Sequence, residues 1–263
     1  MVMIANRIGN ALYTRYARRL RDQLADRPLP SHIAIVMDGN RRWARQMGFG
    51  NVSLGHQYGA EHLEQVLDWC AEVGIRRVTV FVASTDNLRK RESAEMRFLM
   101  QVIEDVIGKR MIEPANRWQV HLAGRLDLVP DSTAHALKLA RDTTRDRATD
   151  ADLTVAVGYD GRQEIVDAVR SLLDHQANTG RTLAELANRL TADDIAAHLY
   201  TSGQPDPDLV IRTSGEVRMS GFLLWQAAYA ELYFCDVYWP AFRKIDFFRA
   251  LRAYAGRRRR FGS

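Results

Sequence analysis

Asp38-Gly39-Asn40-Arg41-Arg42-Trp43 follows an apolar run, Ile33–Met37, and carries groups that could do chemistry. Gly39 lets the backbone turn sharply or approach a ligand closely. Asn40 offers both a donor and an acceptor, and two Arg follow it. Arg suits phosphate because its forked donors match phosphate oxygens, and a helix N-terminus already favours anions. An acid among such cations is out of place unless it holds a cation itself. Mg2+, with hard oxygen ligands shared with substrate phosphates, fits both observations. An N-capping Asp followed by surface Arg accounts for the same residues as well. Taken alone, the motif leaves both readings open.

Other apolar runs also end in polar clusters. Val78–Ala83 leads into Ser84-Thr85-Asp86-Asn87, which by itself reads as a capped turn. Leu153–Val157 leads into Gly158-Tyr159-Asp160-Gly161-Arg162, whose glycines and Arg suit a phosphate with moderate specificity. Leu209–Ile211 leads into Arg212-Thr213-Ser214-Gly215-Glu216-Val217-Arg218-Met219-Ser220, with two Arg, hydroxyl residues and a Gly. A polar surface loop explains poorly why Arg212 directly follows a buried strand, so this segment is a strong anion-site candidate. Glu231 precedes Leu-Tyr-Phe and brings either a second carboxylate for a metal or an ordinary ion pair. No G-x-x-x-x-G-K-[ST] loop is present, and no G-x-G-x-x-G follows a strand, which argues against a nucleotide triphosphatase or a dinucleotide enzyme. The seven His have no paired metal spacing. Two Arg clusters, one metal-binding acid and many apolar strand residues suggest a substrate with a charged head and a greasy tail.

The elements that must hold these groups alternate. Six strand-sized runs, completed by Val120–Ala123 and Leu232–Phe234, are separated by helical patterns. Leu63, Val66, Leu67 and Cys70 mark one helix over 60–73, and Met96, Leu99, Met100, Ile103 and Ile107 another. Further helices start near Ser132, span 162–173, and carry Leu183, Leu186 and Leu190. The alternation predicts an α/β fold: a single-domain, open, mostly parallel six-stranded sheet flanked by helices. Ligands of such sheets lie beyond the carboxyl ends of the strands. No apolar run approaches the ~20 residues of a membrane span, and the N-terminus does not look like a signal peptide. Cys70 and Cys235 read as buried thiols of a reducing compartment, which places the chain in the cytoplasm.

The net charge of +5 is unevenly spread. Residues 1–30 hold six Arg and two Asp, and residues 243–263 hold eight basic residues and one Asp, so the middle is acidic. That argues against nucleic acid and for either solubility or contact with anionic lipid at the inner face of the cell membrane. Ile4, Ile8, Leu12, Tyr16 and Leu20 recur at helical spacing with Arg between them. Residues 1–30 therefore read as an amphipathic basic helical extension before a catalytic domain at 31–263, lying on a membrane or packing on the body. Arg257–Arg260 reads as a solvated tail.

These residues resemble the cis-prenyltransferases, the undecaprenyl diphosphate synthase family. HIAIVMDGNRRWAR, Gly55-His56, Ser84–Asn87, YDGR, DLVIRTSGE and FLLWQAAYAELYF match in order, from about His32 to Gly262. The resemblance implies a hydrophobic tunnel beside the sheet, a homodimer and dependence on Mg2+. It implies condensation of isopentenyl diphosphate with a short allylic diphosphate, geranyl or dimethylallyl, creating a Z double bond. Asp38 resembles the catalytic, metal-binding Asp, and Asn87 the Asn that assists proton removal. Gly39, Asn40, Arg42 and His56 resemble the allylic diphosphate site. Arg212, Arg218 and Ser220 resemble the isopentenyl diphosphate clamp. Glu231 resembles a second metal ligand, acting with the neighbouring subunit's site. Arg41, Trp43, Ser84, Thr85, Asp86, Leu88 and Arg91 complete the implied substrate-binding set.

There are departures. Asp86 replaces a longer Glu, Leu88 an aromatic, Arg125 an Asp and Val217 a His. The stretch from Gly48 to His56 is one residue longer and holds Asn51 and Ser53 where an Arg is often found. Tyr-Gly-Gly-Arg has become Tyr159-Asp160-Gly161-Arg162. Product length should depend on where side chains close the pocket, and Val82 with Leu88 resembles short-chain actinobacterial members making about C15 (Z,E-farnesyl) diphosphate. Alternatives within the resemblance are a medium- or long-chain polyprenyl synthase, an irregular or cyclic terpene synthase, and a non-catalytic partner subunit.

Overall fold

Every residue of β1 (His32–Val36) is buried, and its side chains divide between two cores. Ile33 and Ile35 belong to the larger core, Ala34 and Val36 to the smaller. An unbroken apolar run is what a strand covered on both faces requires. The computed structural model describes residues 13–90, 94–178 and 182–257. In these, β2 (Arg77–Ser84), β3 (Gln119–Ala123), β4 (Asp152–Tyr159), β5 (Leu209–Arg212) and β6 (Glu231–Phe234) join β1. The six form one sheet in the order β3-β4-β2-β1-β5-β6. Every pairing is parallel, where the sequence predicted only a mostly parallel sheet. Strands extend a residue or two past their apolar runs. At the start of β1 the buried His32 ring is held by Pro205 O and Thr79 Oγ1, both at 2.8 Å.

The helices are α1 (residues 13–22), α2 (Asn40–Gln46), α3 (Leu54–Glu72), α4 (Thr85–Lys90), α5 (Ala94–Ile103), α6 (Asp131–Thr144), α7 (Gly161–Asn178), α8 (Leu183–Arg189), α9 (Ala192–Ala196) and α10 (Lys244–Gly256). α5 continues into a π-helical segment, Glu104–Arg110. The apolar row from Met96 to Ile107 stays buried through this change of pitch. α8 stops at Arg189, which leaves Leu190 extended and exposed rather than on the helix.

The sheet's two faces are covered differently. α3, α5, the π-helical segment, α6 and α10 bury the larger core. Leu20 and Leu24 are part of it, and Tyr13 and Ala17 pack against it, so the described part of the amphipathic N-terminus lies on the body. Ile4, Ile8 and Leu12 lie outside the described residues. Among those described, no helix is long and apolar enough to cross a membrane. The opposite face is small in side chains and takes Phe222 and Leu223 from the segment before β6. Glu164 of α7 secures that segment. It is buried, and it accepts hydrogen bonds from the Tyr159 hydroxyl, from Gln226 Nε2 at 3.0 Å and from the Tyr200 amide at 3.0 Å. Burial pushes its carboxyl up, against the opposing pull of those bonds.

The chain order makes β1 and β5 neighbours across a reversal: β2 to β4 lie on one side of β1, β5 and β6 on the other. Such a switch point leaves a crevice at the carboxyl ends. α2 starts there, and α3 presses on it through glycines. A Cβ at Gly55 would stand 2.1 Å from the Asn40 carbonyl oxygen, and one at Gly59 2.2 Å from Asn40 Oδ1. Gly55→Ala is expected to destabilise the fold by about 1–3 kcal/mol through overpacking. Urea unfolding should show a lower midpoint, and an unchanged midpoint would mean that α2 and α3 separate without cost.

Candidate functional site

Asp38 and Arg212 meet at this crevice because of strand register. Val36 is opposite Arg212, and Asp38 lies two residues further along. Arg212 Nη2 donates to Asp38 Oδ2 at 2.8 Å, and its Nη1 donates to Ser220 Oγ at 2.8 Å and to the Arg218 carbonyl at 2.6 Å. Gly39 N–H donates to Asp38 Oδ1 at 2.6 Å. Gly39 has a φ of 99°, and a Cβ there would stand 2.6 Å from the Tyr238 ring, so glycine is required on both counts.

Arg42 extends this pair into a chain of alternating charge. Its Nη2 donates to Asp38 Oδ1 at 3.3 Å and to Ser214 Oγ at 2.7 Å, and its Nη1 donates to Glu216 Oε1 at 3.1 Å. Glu216 in turn accepts from Arg218. The order is Arg212–Asp38–Arg42–Glu216–Arg218, three cations separated by two carboxylates. Arg42 also stacks over Tyr238, 5.5 Å from the ring centroid. Ser214 and Ser220, which touch two of these Arg, have φ of 80° and 52°. Left-handed non-glycine backbone of this kind is costly and concentrates at ligand sites. Partial burial pushes the Asp38 carboxyl up, but Arg212's hydrogen bond and charge, the Gly39 amide and Arg42 outweigh it and hold it below the usual carboxylate range.

A cavity of about 670 Å³ opens over the chain. It brings together Asp38, Gly39, Asn40, Arg41, Arg42, His56, Ser84, Asp86, Asn87, Arg212, Ser220 and Val82. Ser84 Oγ accepts from the Asn87 amide at 3.0 Å, capping α4 and fixing Asn87 at the rim. His56 Nε2 and Arg41 Nε each stand 3.2 Å from Glu95 Oε1. Val82 sits where the β2–β4 register shifts, and an irregularity of this kind re-aims a side chain. A smaller apolar space of about 50 Å³ shares Met37, Asn40, His56, Phe81, Val82 and Leu99 with the cavity. Beyond them it is lined by Leu63, Val102, Ile103, Val106, Ile107 and Trp239.

Several residues expected at the site are placed elsewhere. Trp43 leaves α2 on another side and packs with Phe49 and Tyr58, centroids 5.7 and 5.1 Å away. Thr85 is buried at the start of α4, and Leu88 packs on the core beside Gly158. Arg218 is exposed and turned to Glu216. Arg91 lies outside the described residues. Glu231 opens β6 opposite Leu209, at the amino ends of the strands, and pairs with Arg257. At ~3.3 Å per residue it is on the order of 15 Å or more from Asp38, so the two cannot share an ion within one chain. In the Gly158–Arg162 segment Asp160 lines the cavity and its Oδ1 accepts from the Gln163 amide at 2.9 Å, while Arg162 is exposed. The apolar walls of the two spaces include Phe81, Val82 and Leu99. Arg45, Glu95 and Tyr238 belong to the site or its supports but were not singled out from sequence, whereas Asp160 and Glu216 lay within strand-end clusters read there without a role of their own. Of the first three only Arg45 had a local signal, one helical turn after Arg41.

The donor set bears on a metal. No group of three or more His, Cys, Asp or Glu that could hold one occurs among the described residues. Asp38, half-buried between two guanidiniums, offers a hard oxygen ligand, and Asp86 and Asp160 line the same cavity. That suits Mg2+, which binds through one or two carboxylates with substrate phosphates and water, and does not suit an all-protein cage.

The sequence profile of the family described as "Putative undecaprenyl diphosphate synthase" matches residues 36–262. A Streptomyces fradiae protein named isoprenyl transferase is 62% identical over 258 residues, 98% of this chain and 100% of that one. The (2Z,6E)-farnesyl diphosphate synthase of Mycolicibacterium smegmatis is 48% identical over 264 aligned positions, covering both chains fully. The short-chain Z-isoprenyl diphosphate synthase of Mycobacterium leprae is 49% identical over the same span, again covering both. Among solved structures, lavandulyl diphosphate synthase from Lavandula x intermedia in complex with dimethylallyl diphosphate superposes with a TM-score of 0.81. It is 30% identical, and the match covers 89% of this chain and 99% of that one.

The depressed Asp38 carboxyl has a consequence in acid. Its contribution to stability is complete above the ordinary carboxylate value of ~3.9 and is lost as pH falls through the lower folded value. Carboxyl-carbon NMR should place the Asp38 midpoint below the ordinary range, and Arg212→Gln should move it up. An ordinary midpoint in the unaltered protein, or none of that rise, would show that Arg212 does not hold it.

Proposed function

The chain belongs to the undecaprenyl diphosphate synthase family of cis-prenyltransferases, and on that footing we propose that it makes a short Z-isoprenyl diphosphate. The substrates are isopentenyl diphosphate and a short allylic diphosphate, geranyl or dimethylallyl. The observation that carries this reading is the pairing of an Arg-rich cavity with an apolar space of only about 50 Å³ behind it. That narrow, apolar-walled space suits the end of a short tail.

In this reading the allylic diphosphate lies against Gly39, Asn40, Arg42 and His56, with its tail past Val82. Arg212, Ser220 and Arg218 hold isopentenyl diphosphate. Arg218 must leave Glu216 to do so. Mg2+ bound by Asp38 and diphosphate oxygens would neutralise charge on the departing group. Arg42 and Arg212 add fixed positive charge where that charge builds as the allylic C–O bond breaks. The diphosphate leaves with the electron pair, and the alkene of isopentenyl diphosphate attacks the allylic carbon. Holding both substrates in one cavity makes that attack effectively unimolecular. The proton lost from isopentenyl diphosphate passes to a diphosphate oxygen, with Asn87 orienting the acceptor. Phe81, Val82 and Leu99 keep water from the cation.

A homodimer through the β6 edge fits the exposed Val217, Leu224 and Tyr229 in the segment leading to that strand. Across such an edge Glu231 would serve a second copy's site rather than its own. A cytoplasmic setting is supported by two free, buried cysteines. Contact of the basic ends with anionic lipid remains part of the proposal.

Radiolabelled isopentenyl diphosphate with dimethylallyl, geranyl or farnesyl diphosphate tests the function, with products resolved by reversed-phase chromatography. A short Z product is expected. Chains of ten or more units, or condensation of dimethylallyl diphosphate alone, would overturn it. Asp38→Ala should lower kcat by at least ~10²–10³, the size of losing one preorganised electrostatic contact. Because it also strips buried Arg212 of its counterion, the unfolding midpoint should fall, and turnover is compared at a temperature where circular dichroism shows the variant folded. Normal turnover in that variant would remove Asp38 from the mechanism. Val82→Ala should lengthen the product in the same assay, and an unchanged product would clear Val82 of setting length.

A further inference from the structure

Four guanidiniums line the cavity, and three of them are already engaged by carboxylates. Arg212 holds Asp38 at 2.8 Å, Arg42 spans Asp38 and Glu216 at 3.3 and 3.1 Å, and Arg41 stands 3.2 Å from Glu95. Arg45 also lines the cavity, yet its guanidinium has no ion pair or hydrogen bond among the described residues. It is exposed, in the last turn of α2, four residues after Arg41 and so on the same side of the helix. A solvated Arg at a helix C-terminus would complement the helix dipole without further role. That ordinary role does not explain its place in the cavity wall with Arg41, Arg42 and His56.

We propose that Arg45 is a further binding residue for the allylic diphosphate and takes its outer phosphate. This rests on the reading of the cavity given above. A diphosphate reaching Arg42, Arg212 or Arg41 must loosen an existing ion pair. At Arg45 it breaks no ion pair made among the described residues. Arg45 is therefore the group that meets an incoming anion first, and a forked guanidinium suits a terminal phosphate. Its position on α2 assigns it to the substrate held by Gly39, Asn40 and Arg42. Arg212 and Ser220 reach the cavity from β5 and the loop after it. Arg45 should therefore act on one substrate and not on both.

The test uses the full chain, in two arms. In calorimetric titration with inorganic diphosphate and Mg2+, Arg45→Ala should weaken binding about tenfold, the size of one charge-assisted contact, and Arg45→Lys should recover part of it. In steady-state assays Arg45→Ala should raise the KM for the allylic diphosphate about tenfold on the same grounds, with kcat and the KM for isopentenyl diphosphate nearly constant. The salt dependence of kcat/KM for the allylic substrate should also fall. An unchanged allylic KM, or an equal rise in both KM values, overturns the role of Arg45. Failure of the unaltered protein to bind diphosphate or form product overturns the reading of the cavity itself, and the Arg45 assignment with it.

Discussion

The ion pair between Arg212 and Asp38 is the interaction on which the head of the cavity depends. Arg212 is 4% exposed, and a guanidinium that deep needs a counterion, because its uncompensated burial costs several kcal/mol. Asp38 supplies the charge only if β1 and β5 are adjacent, parallel and in the observed register. A slip of one residue would turn Arg212 to the other face. The pair thus links the sheet's topology to the site's electrostatics. It also keeps Asp38 ionised, the condition for a hard-cation ligand. Arg42, Glu216 and Arg218 extend the same logic outwards, each charge answered by the next, so the cations stay balanced.

The tail space obeys the opposite physics. Behind the charged mouth the walls are almost wholly apolar, from α3, the irregular stretch of β2, α5 and the π-helical segment. Close helix contact keeps that space small. Gly55 and Gly59 let α3 reach Asn40, and Gly108 in the π-helical segment brings that turn against Ala136, where a Cβ would stand 3.0 Å from the Ala136 Cβ. A tight interior of this kind changes volume only by changing side chains. The charged mouth and the apolar space thus have largely separate walls, joined where Met37, Asn40, His56, Phe81, Val82 and Leu99 border both.

Much of this was legible because it is local in the chain. An apolar run followed at once by an acid, a glycine and paired Arg marks a strand end worth inspecting, though by itself it fits a helix cap as well. The polar strand ends together pointed to Asp38, Asn40, Arg42, Arg212 and Ser220, the family resemblance added Ser84 and Asn87, and the fold gathers all of them into one cavity. Trp43 shows where the pattern stops helping. It adjoins Arg42 in sequence, but successive helix positions point about 100° apart, and its ring goes to Phe49 and Tyr58. Glu231 shows the same for strands. Its carboxylate suited a metal, but it begins its strand where Arg212 ends one.

The sequence by itself determined the α/β alternation, the six strands and which strand ends bear polar groups. Those follow from periodicity and from the placement of charge beside apolar runs, both read within a few residues. Only the tertiary structure decided which charges pair, which Arg is left without a carboxylate, and at which end of the sheet each acid stands. Register, helix rotation and ion pairing join residues as far apart as Arg212 and Asp38, 174 positions, and no local pattern specifies which distant group will fill a space.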